Sequence, residues 1–227
     1  MYYDATYILV IIGAVIVLAA QAKVKSAFKK YSKVQSSAGI TGAQAAEKAL
    51  SDNGIYDVNV VHIAGELTDH FNPASKTVNL SDAVYGSTSI AAIAVATHEC
   101  GHAMQHNEEY FPLKIRSAIV PAANFGSKLG MSILIVGLLF GAQPLTFLGV
   151  ILFTLGVAFQ LVTLPVEFNA SSRALKYLEN SGLVDQTELN GSKKVLTAAA
   201  LTYVASAAAA MLTLLRLIIL SKGRRRN

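Results

Sequence analysis

Residues 129–166 read LGMSILIVGLLFGAQPLTFLGVILFTLGVAFQLVTLPV, 38 consecutive positions without a formal charge. About 20 apolar residues cross a bilayer, so this run is too long for one helix and suits two. Its middle supplies the break: Gly141-Ala142-Gln143-Pro144 is a turn signal whose proline suits a helix start. The reading is a transmembrane hairpin of residues 122–141 and 144–164. An ordinary soluble globule is thereby excluded. Of the 227 residues 53% are apolar and 15% charged, and mean hydropathy is +0.46; soluble domains carry about a quarter charged residues. A single cysteine rules out an internal disulfide framework.

Two further spans flank this hairpin. Residues 5–22 (ATYILVIIGAVIVLAAQA) end in Ala20-Gln21-Ala22, which imitates a signal-peptide cleavage site. A signal peptide carries its positive charge ahead of the apolar stretch, whereas Lys23, Lys25, Lys29, Lys30 and Lys33 follow it here. The segment reads as an uncleaved anchor with its N-terminus outside. Residues 198–217, rich in Ala and Ser, read as a fourth span whose small side chains let helices approach closely in lipid.

The positive-inside rule then puts 23–117 in the cytoplasm. The hairpin returns the chain, so 166–194, with Arg173, Lys176, Lys193 and Lys194, falls on the same side. The tail does not fit. Four spans leave 221–227, with Lys222 and Arg224-Arg225-Arg226, outside against the rule, unless the last segment does not fully cross. The expected organisation is an anchor at 1–22, a cytoplasmic catalytic part at 23–117, a transmembrane hairpin at 118–166, a cytoplasmic segment at 167–194, a span at 195–220 and a basic tail. The net charge of +5 reflects lysines just inside a span, where they meet anionic headgroups. No nucleic-acid motif accompanies it, so the bilayer, not nucleic acid, is the expected partner.

Within 23–117, Thr41 with Gln44 three residues on predicts a capped helix over 42–53. Val-rich alternation predicts strands at 57–64 and 76–80, with 67–73 as a turn-rich connection. Gly86-Ser87-Thr88-Ser89 precedes a long helix from Ile90 to about His106. That helix contains His98-Glu99-Cys100-Gly101-His102, an H-E-x-x-H sequence. Residues four apart share a helix face, so both imidazoles can reach one metal, and the adjacent Glu can take a proton from water there. The apolar, small run IAAIAVAT ahead of it allows the helix to be buried. Gly101 lets another element approach.

A hydrolytic zinc site takes three protein ligands and keeps one open position. His106 is two turns from His98, about 12 Å along the axis, and cannot share its ion. The longer metzincin pattern is absent, because Gln105 and Glu108 stand where its glycine and third histidine would be. His62 and His70 stay open as ligands. Glu167 is the better candidate, as a carboxylate beside Pro165 at a membrane exit on the side of His98 and His102. Cys100 points away from them and reads as a small core residue.

Together the N-terminal anchor, Asp69-His70-Phe71-Asn72-Pro73, residues 89–106 around H-E-C-G-H and residues 167–175 resemble the YugP-like membrane zinc metallopeptidases, over about 5–215. They are also similar to the HtpX-type gluzincins, where a downstream E-x-x-A-D-like helix gives the third ligand. Glu167 and Ala170 match that pattern, but Ser171 stands at the Asp position, leaving open which group orients a histidine. The resemblance implies a mainly α, polytopic membrane protein of about four transmembrane helices with a small α+β zincin-like, gluzincin catalytic domain. It also implies a membrane-embedded endopeptidase. Composition and spacing alone reach only a metallohydrolase at a membrane surface.

The expected chemistry is one Zn2+ on His98, His102 and Glu167, with Glu99 as general base. The substrates are protein segments or peptides at the cytoplasmic face of a bacterial plasma membrane. His70, His106 and Arg173 are candidate oxyanion donors, and the strand at 76–80 is a candidate partner for an extended substrate. Rival readings are a zinc hydrolase of a non-protein amide and a non-catalytic membrane scaffold with a structural metal.

Overall fold

The computed structural model describes residues 4–223. Its elements are α1 (Tyr7–Tyr31), α2 (Gly42–Asp52), β1 (Asn59–His62), β2 (His70–Asn72), β3 (Thr77–Leu80), α3 (Ile90–Asn107), α4 (Phe111–Leu139), α5 (Gln143–Ser181) and α6 (Gln186–Gly223). Four of these helices, α1, α4, α5 and α6, are long and apolar enough to cross a membrane. The protein is a mainly α, multi-pass membrane protein with a small α+β part. The expected spans continue as helix well past their apolar stretches. Even Pro165 lies inside α5; it lacks the N–H that would bond residue 161, and the helix runs on.

The described residues form two compact units. The first holds 4–21, Lys114–Pro165 and 202–223. Here α4 and α5 pack backbone to backbone: a Cβ on Gly126 would lie 2.5 Å from the Leu152 carbonyl oxygen, and one on Gly149 would lie 2.6 Å from the Leu134 amide nitrogen. Small residues are what permit such approach in lipid, where dispersion rather than water exclusion joins helices. The turn between them is set by Gly141 at φ 66°, as the sequence predicts. α1 and α6 run antiparallel, with Gly13 against Ala209 and the Asp4 carboxylate 2.7 Å from the Arg216 guanidinium. α6 thus runs as one helix alongside α1, and its C-terminal end lies at the Asp4 end of this unit. Arg224, Arg225 and Arg226 of the tail, and the side chain of Lys222, lie outside the described residues.

The second unit holds Ala22–Leu113 and Val166–Leu201. Thr41 caps α2 through a complete capping box with Gln44. The sheet has the order β1-β3-β2, with β1 parallel and β2 antiparallel to β3. Here the structure departs from two expectations. The connection at 67–73 contains a strand, β2, whose three residues show no apolar alternation. It is set instead by the Asn72 side chain, which accepts from the amides of Ala74 and Ser75 and closes the hairpin into β3. β3 is consequently central and cannot pair with a substrate; β1 and β2 are the edges.

Ser89 caps α3 by accepting from the Ala92 amide. Ala92, Ala96 and Ala103 are buried with Ala43, Ala46 and Ala49 of α2 and Val78 and Leu80 of β3. An alanine-rich helix can be enclosed on every side because its neighbours meet its backbone at short range. Enclosure of α3 is what makes its polar residues costly unless each is partnered.

Candidate metal centre

His98 and His102 stand one turn apart on α3, their rings edge-on with centroids 4.9 Å apart. Glu167 reaches them from α5, its Oε2 3.4 Å from Nε2 of His98 and 3.5 Å from Nε2 of His102. Among the described residues this is the group of three His, Cys, Asp or Glu side chains that could hold an ion, with ligand atoms all within 4.8 Å of one another. Ligands about 2.0–2.1 Å from a tetrahedral zinc stand roughly 3.4 Å apart, which the two distances from Glu167 to the histidines match.

Gly101 explains how α5 comes so near. A Cβ there would lie 2.6 Å from the carbonyl oxygen of Ala170 and 3.1 Å from its carbonyl carbon. The glycine inside H-E-x-x-H is therefore the crossing point of the two helices, and Glu167 sits three residues before it on α5.

Both imidazoles are oriented through Nδ1. Gln105 lies at 0% exposure, and its Nε2 donates to the Val166 carbonyl at 2.8 Å and to Asn169 Oδ1 at 2.9 Å. A carbonyl can only accept, so the Gln105 nitrogen must face Val166 and its oxygen must face His102. That oxygen lies 3.1 Å from His102 Nδ1, which is then the protonated nitrogen, leaving the Nε2 lone pair for a metal. His98 Nδ1 meets the Ser171 hydroxyl at 3.1 Å. Ser171 is thus the group beside His98, the position that the sequence left open. The network continues outward: Asn169 Oδ1 also accepts from Arg173 Nε, and Arg173 forks onto both oxygens of Glu108 at 2.7 and 2.8 Å. That pair holds the Glu108 carboxyl below its ordinary value.

The electrostatics suit a cation. Burial works against a charged His102, but Glu167, Glu99 and Gln105 outweigh it and raise its pKa. Glu99 is buried beside them, and its Oε2 accepts from the backbone amide of Phe71 at 3.0 Å. That bond uses the outer edge of β2, which places the carboxylate beside the strand.

The other sequence candidates are elsewhere. His62 lies 2.7 Å from Asp82 on the surface, and His70 Nδ1 lies 2.8 Å from the Thr68 carbonyl oxygen. The His106 ring packs against Phe71 at 5.7 Å. Arg173, committed to Glu108 and Asn169, is not presented as an oxyanion donor. Cys100 is buried with its Sγ 3.5 Å from the Ala46 carbonyl oxygen, and burial pushes its thiol up. It is a core residue, as expected. Sequence reasoning missed Gln105 and Asn169. The available signal was spacing: Gln105 is one turn beyond His102, and Asn169 is one turn before Arg173.

Residues 6–222 match the family described as "Putative neutral zinc metallopeptidase". Over 209 residues the chain is 51% identical to "Putative membrane protease YugP" of Bacillus subtilis (strain 168), covering 92% of this chain and 93% of that protein. No solved structure matches. With both comparisons spanning nearly the whole chain, the protein belongs to this neutral zinc metallopeptidase family.

Proposed function

We propose that the protein is a membrane-embedded zinc endopeptidase that cuts protein segments at or near the cytoplasmic face of the membrane. His98 Nε2, His102 Nε2 and a Glu167 oxygen would hold one zinc ion. Zinc bound there supplies Lewis-acid chemistry, acidifying water and polarising the scissile carbonyl. Gln105 and Ser171 keep the two imidazoles in the ligating tautomer. Glu99 accepts the proton of the attacking water at Oε and delivers it to the leaving amine. The Phe71 amide steadies Glu99 before substrate arrives. An extended substrate pairs along the outer edge of β2, which runs past Glu99, and this supports a peptide over a compact amide.

The observation that carries this reading is the spacing of 3.4 and 3.5 Å between the two Nε2 atoms and one carboxylate oxygen. The test is metal content and peptide cleavage by the purified full chain beside Glu99→Gln. Expected is one zinc per chain in both, with cleavage lost in the variant. Full cleavage by Glu99→Gln removes the mechanism.

A further inference from the structure

A second cavity lies away from the metal centre, between the charged end of α1 and the first turns of α6. Its volume is about 560 Å3, within the roughly 300–1,000 Å3 of small-ligand sites. Lys23 and Lys30 line it from α1, and Lys193 and Lys194 from α6. No carboxylate is among its lining residues. Glu188, the acid closest in sequence on α6, is turned to the amide and hydroxyl of Ser37 at 2.6 and 3.0 Å. Four ammonium groups around one cavity repel each other, and among the described residues no carboxylate is paired with them; Lys30 has only the face of the Tyr31 ring, 5.5 Å away.

The remaining lining has a second character. Ala27 and Ala198 keep the floor low, and the hydroxyls of Ser26 and Thr197 offer donors between the lysines. On both helices the charge stops abruptly: residues 5–22 before Lys23 are apolar save for Thr6, Tyr7 and Gln21, and 21 uncharged residues follow Lys194. A ligand seated among the lysines therefore has apolar helix surface leading away from it. That combination of anionic head and apolar continuation describes a phospholipid.

We propose that this groove is a binding site for the phosphate headgroup of an anionic phospholipid. The lysines neutralise the phosphodiester, Ser26 and Thr197 donate to its oxygens, and the acyl chains follow the apolar stretches of α1 and α6. Lys25 and Lys29 belong to the same end of α1 but face outside the groove, so they separate a built site from general attraction to a charged surface.

The test titrates the full chain in an uncharged detergent with phosphatidylglycerol, reading bound lipid by native mass spectrometry. Phosphatidylcholine and millimolar inorganic phosphate are separate arms. Each lysine near an anionic surface contributes roughly fivefold to binding, so Lys30→Gln with Lys194→Gln weakens phosphatidylglycerol about thirtyfold. Lys25→Gln with Lys29→Gln leaves it unchanged, and Lys30→Arg with Lys194→Arg retains it, which separates lost charge from lost folding. Equal weakening by both glutamine pairs, or equal binding of phosphatidylcholine, overturns the site. Displacement by inorganic phosphate overturns the lipid as its ligand and assigns a soluble anion.

Discussion

Replacing Gly101 by alanine tests whether the helix crossing sets the metal centre. The added Cβ would stand 2.6 Å from the Ala170 carbonyl oxygen, where ordinary contact begins at 3.4 Å, a deficit of about 0.8 Å. The obstacle is backbone, so no rotamer relieves it, and α5 must retreat. Glu167 rides on the same helix one turn earlier. A retreat of that size would stretch its 3.4 and 3.5 Å spacings to the histidines, whereas metal–ligand distances tolerate about 0.2 Å. Stability suffers less. Overpacking costs about 1–3 kcal/mol, and exchanging a mid-helix glycine for alanine returns about 1 kcal/mol. The variant should fold, lose no more than about 2 kcal/mol, and bind zinc about 10–100-fold more weakly, the range seen when a ligand's supports are disturbed. The assay is competition for zinc against a chromophoric chelator, with thermal unfolding in parallel. Gly86→Ala is the control, since nothing lies within 4 Å of its added Cβ. A folded Gly101→Ala that binds zinc as tightly as wild type would refute the idea that this crossing fixes Glu167.

Gln105→Leu keeps the volume but removes the acceptor on His102 Nδ1, and should weaken zinc about 10–100-fold, read by chelator competition. Glu167→Ala should abolish stoichiometric zinc by metal analysis, whereas a variant that still holds one zinc per chain would show that the third ligand lies elsewhere. The pH dependence follows from His102, whose pKa in the metal-free protein is raised from 6.5. Its contribution to the metal-free fold is complete below 6.5 and is lost as pH rises through the folded value. Zinc needs the neutral ring. Melting with chelator present should therefore weaken as pH rises above 6.5, while the increment gained on adding zinc grows over the same interval.

Much of the fold was legible because the membrane imposes coarse rules. Residues 129–166 had to be a hairpin on length and charge alone, and its Gly141 turn lies where the sequence puts it. The edge strand β2 was not legible. Three residues, His70-Phe71-Asn72, carry no periodicity, and only the Asn72 side chain folding back on Ala74 and Ser75 makes them a strand. Mistaking β3 for an edge followed directly from missing β2. The continuous helices were hidden for a different reason: Pro165 and the lysines after residue 22 look like ends, but a helix ends only where its last carbonyls find other partners.

At the centre, chemistry that depends on spacing within one helix was readable, and chemistry between helices was readable only through small residues. His98 and His102 share a face by arithmetic. Glu167 could be proposed from its position at the end of a span, yet its reach to within 3.5 Å depends on Gly101, a residue whose lack of a side chain is its contribution. Gln105 is the opposite case. It reads as an ordinary polar position on a helix until the burial of α3 is known, and burial then forces every one of its atoms to find a partner. Its nitrogen is claimed by Val166 and Asn169 of α5, so its oxygen is left for His102. The tautomer of one ligand is thus decided by the backbone carbonyl beside the other, Val166 preceding Glu167. The same helix approach that Gly101 permits therefore both delivers the third ligand and orients the second, and for that reason Gly101→Ala and Gln105→Leu should not be additive in zinc affinity.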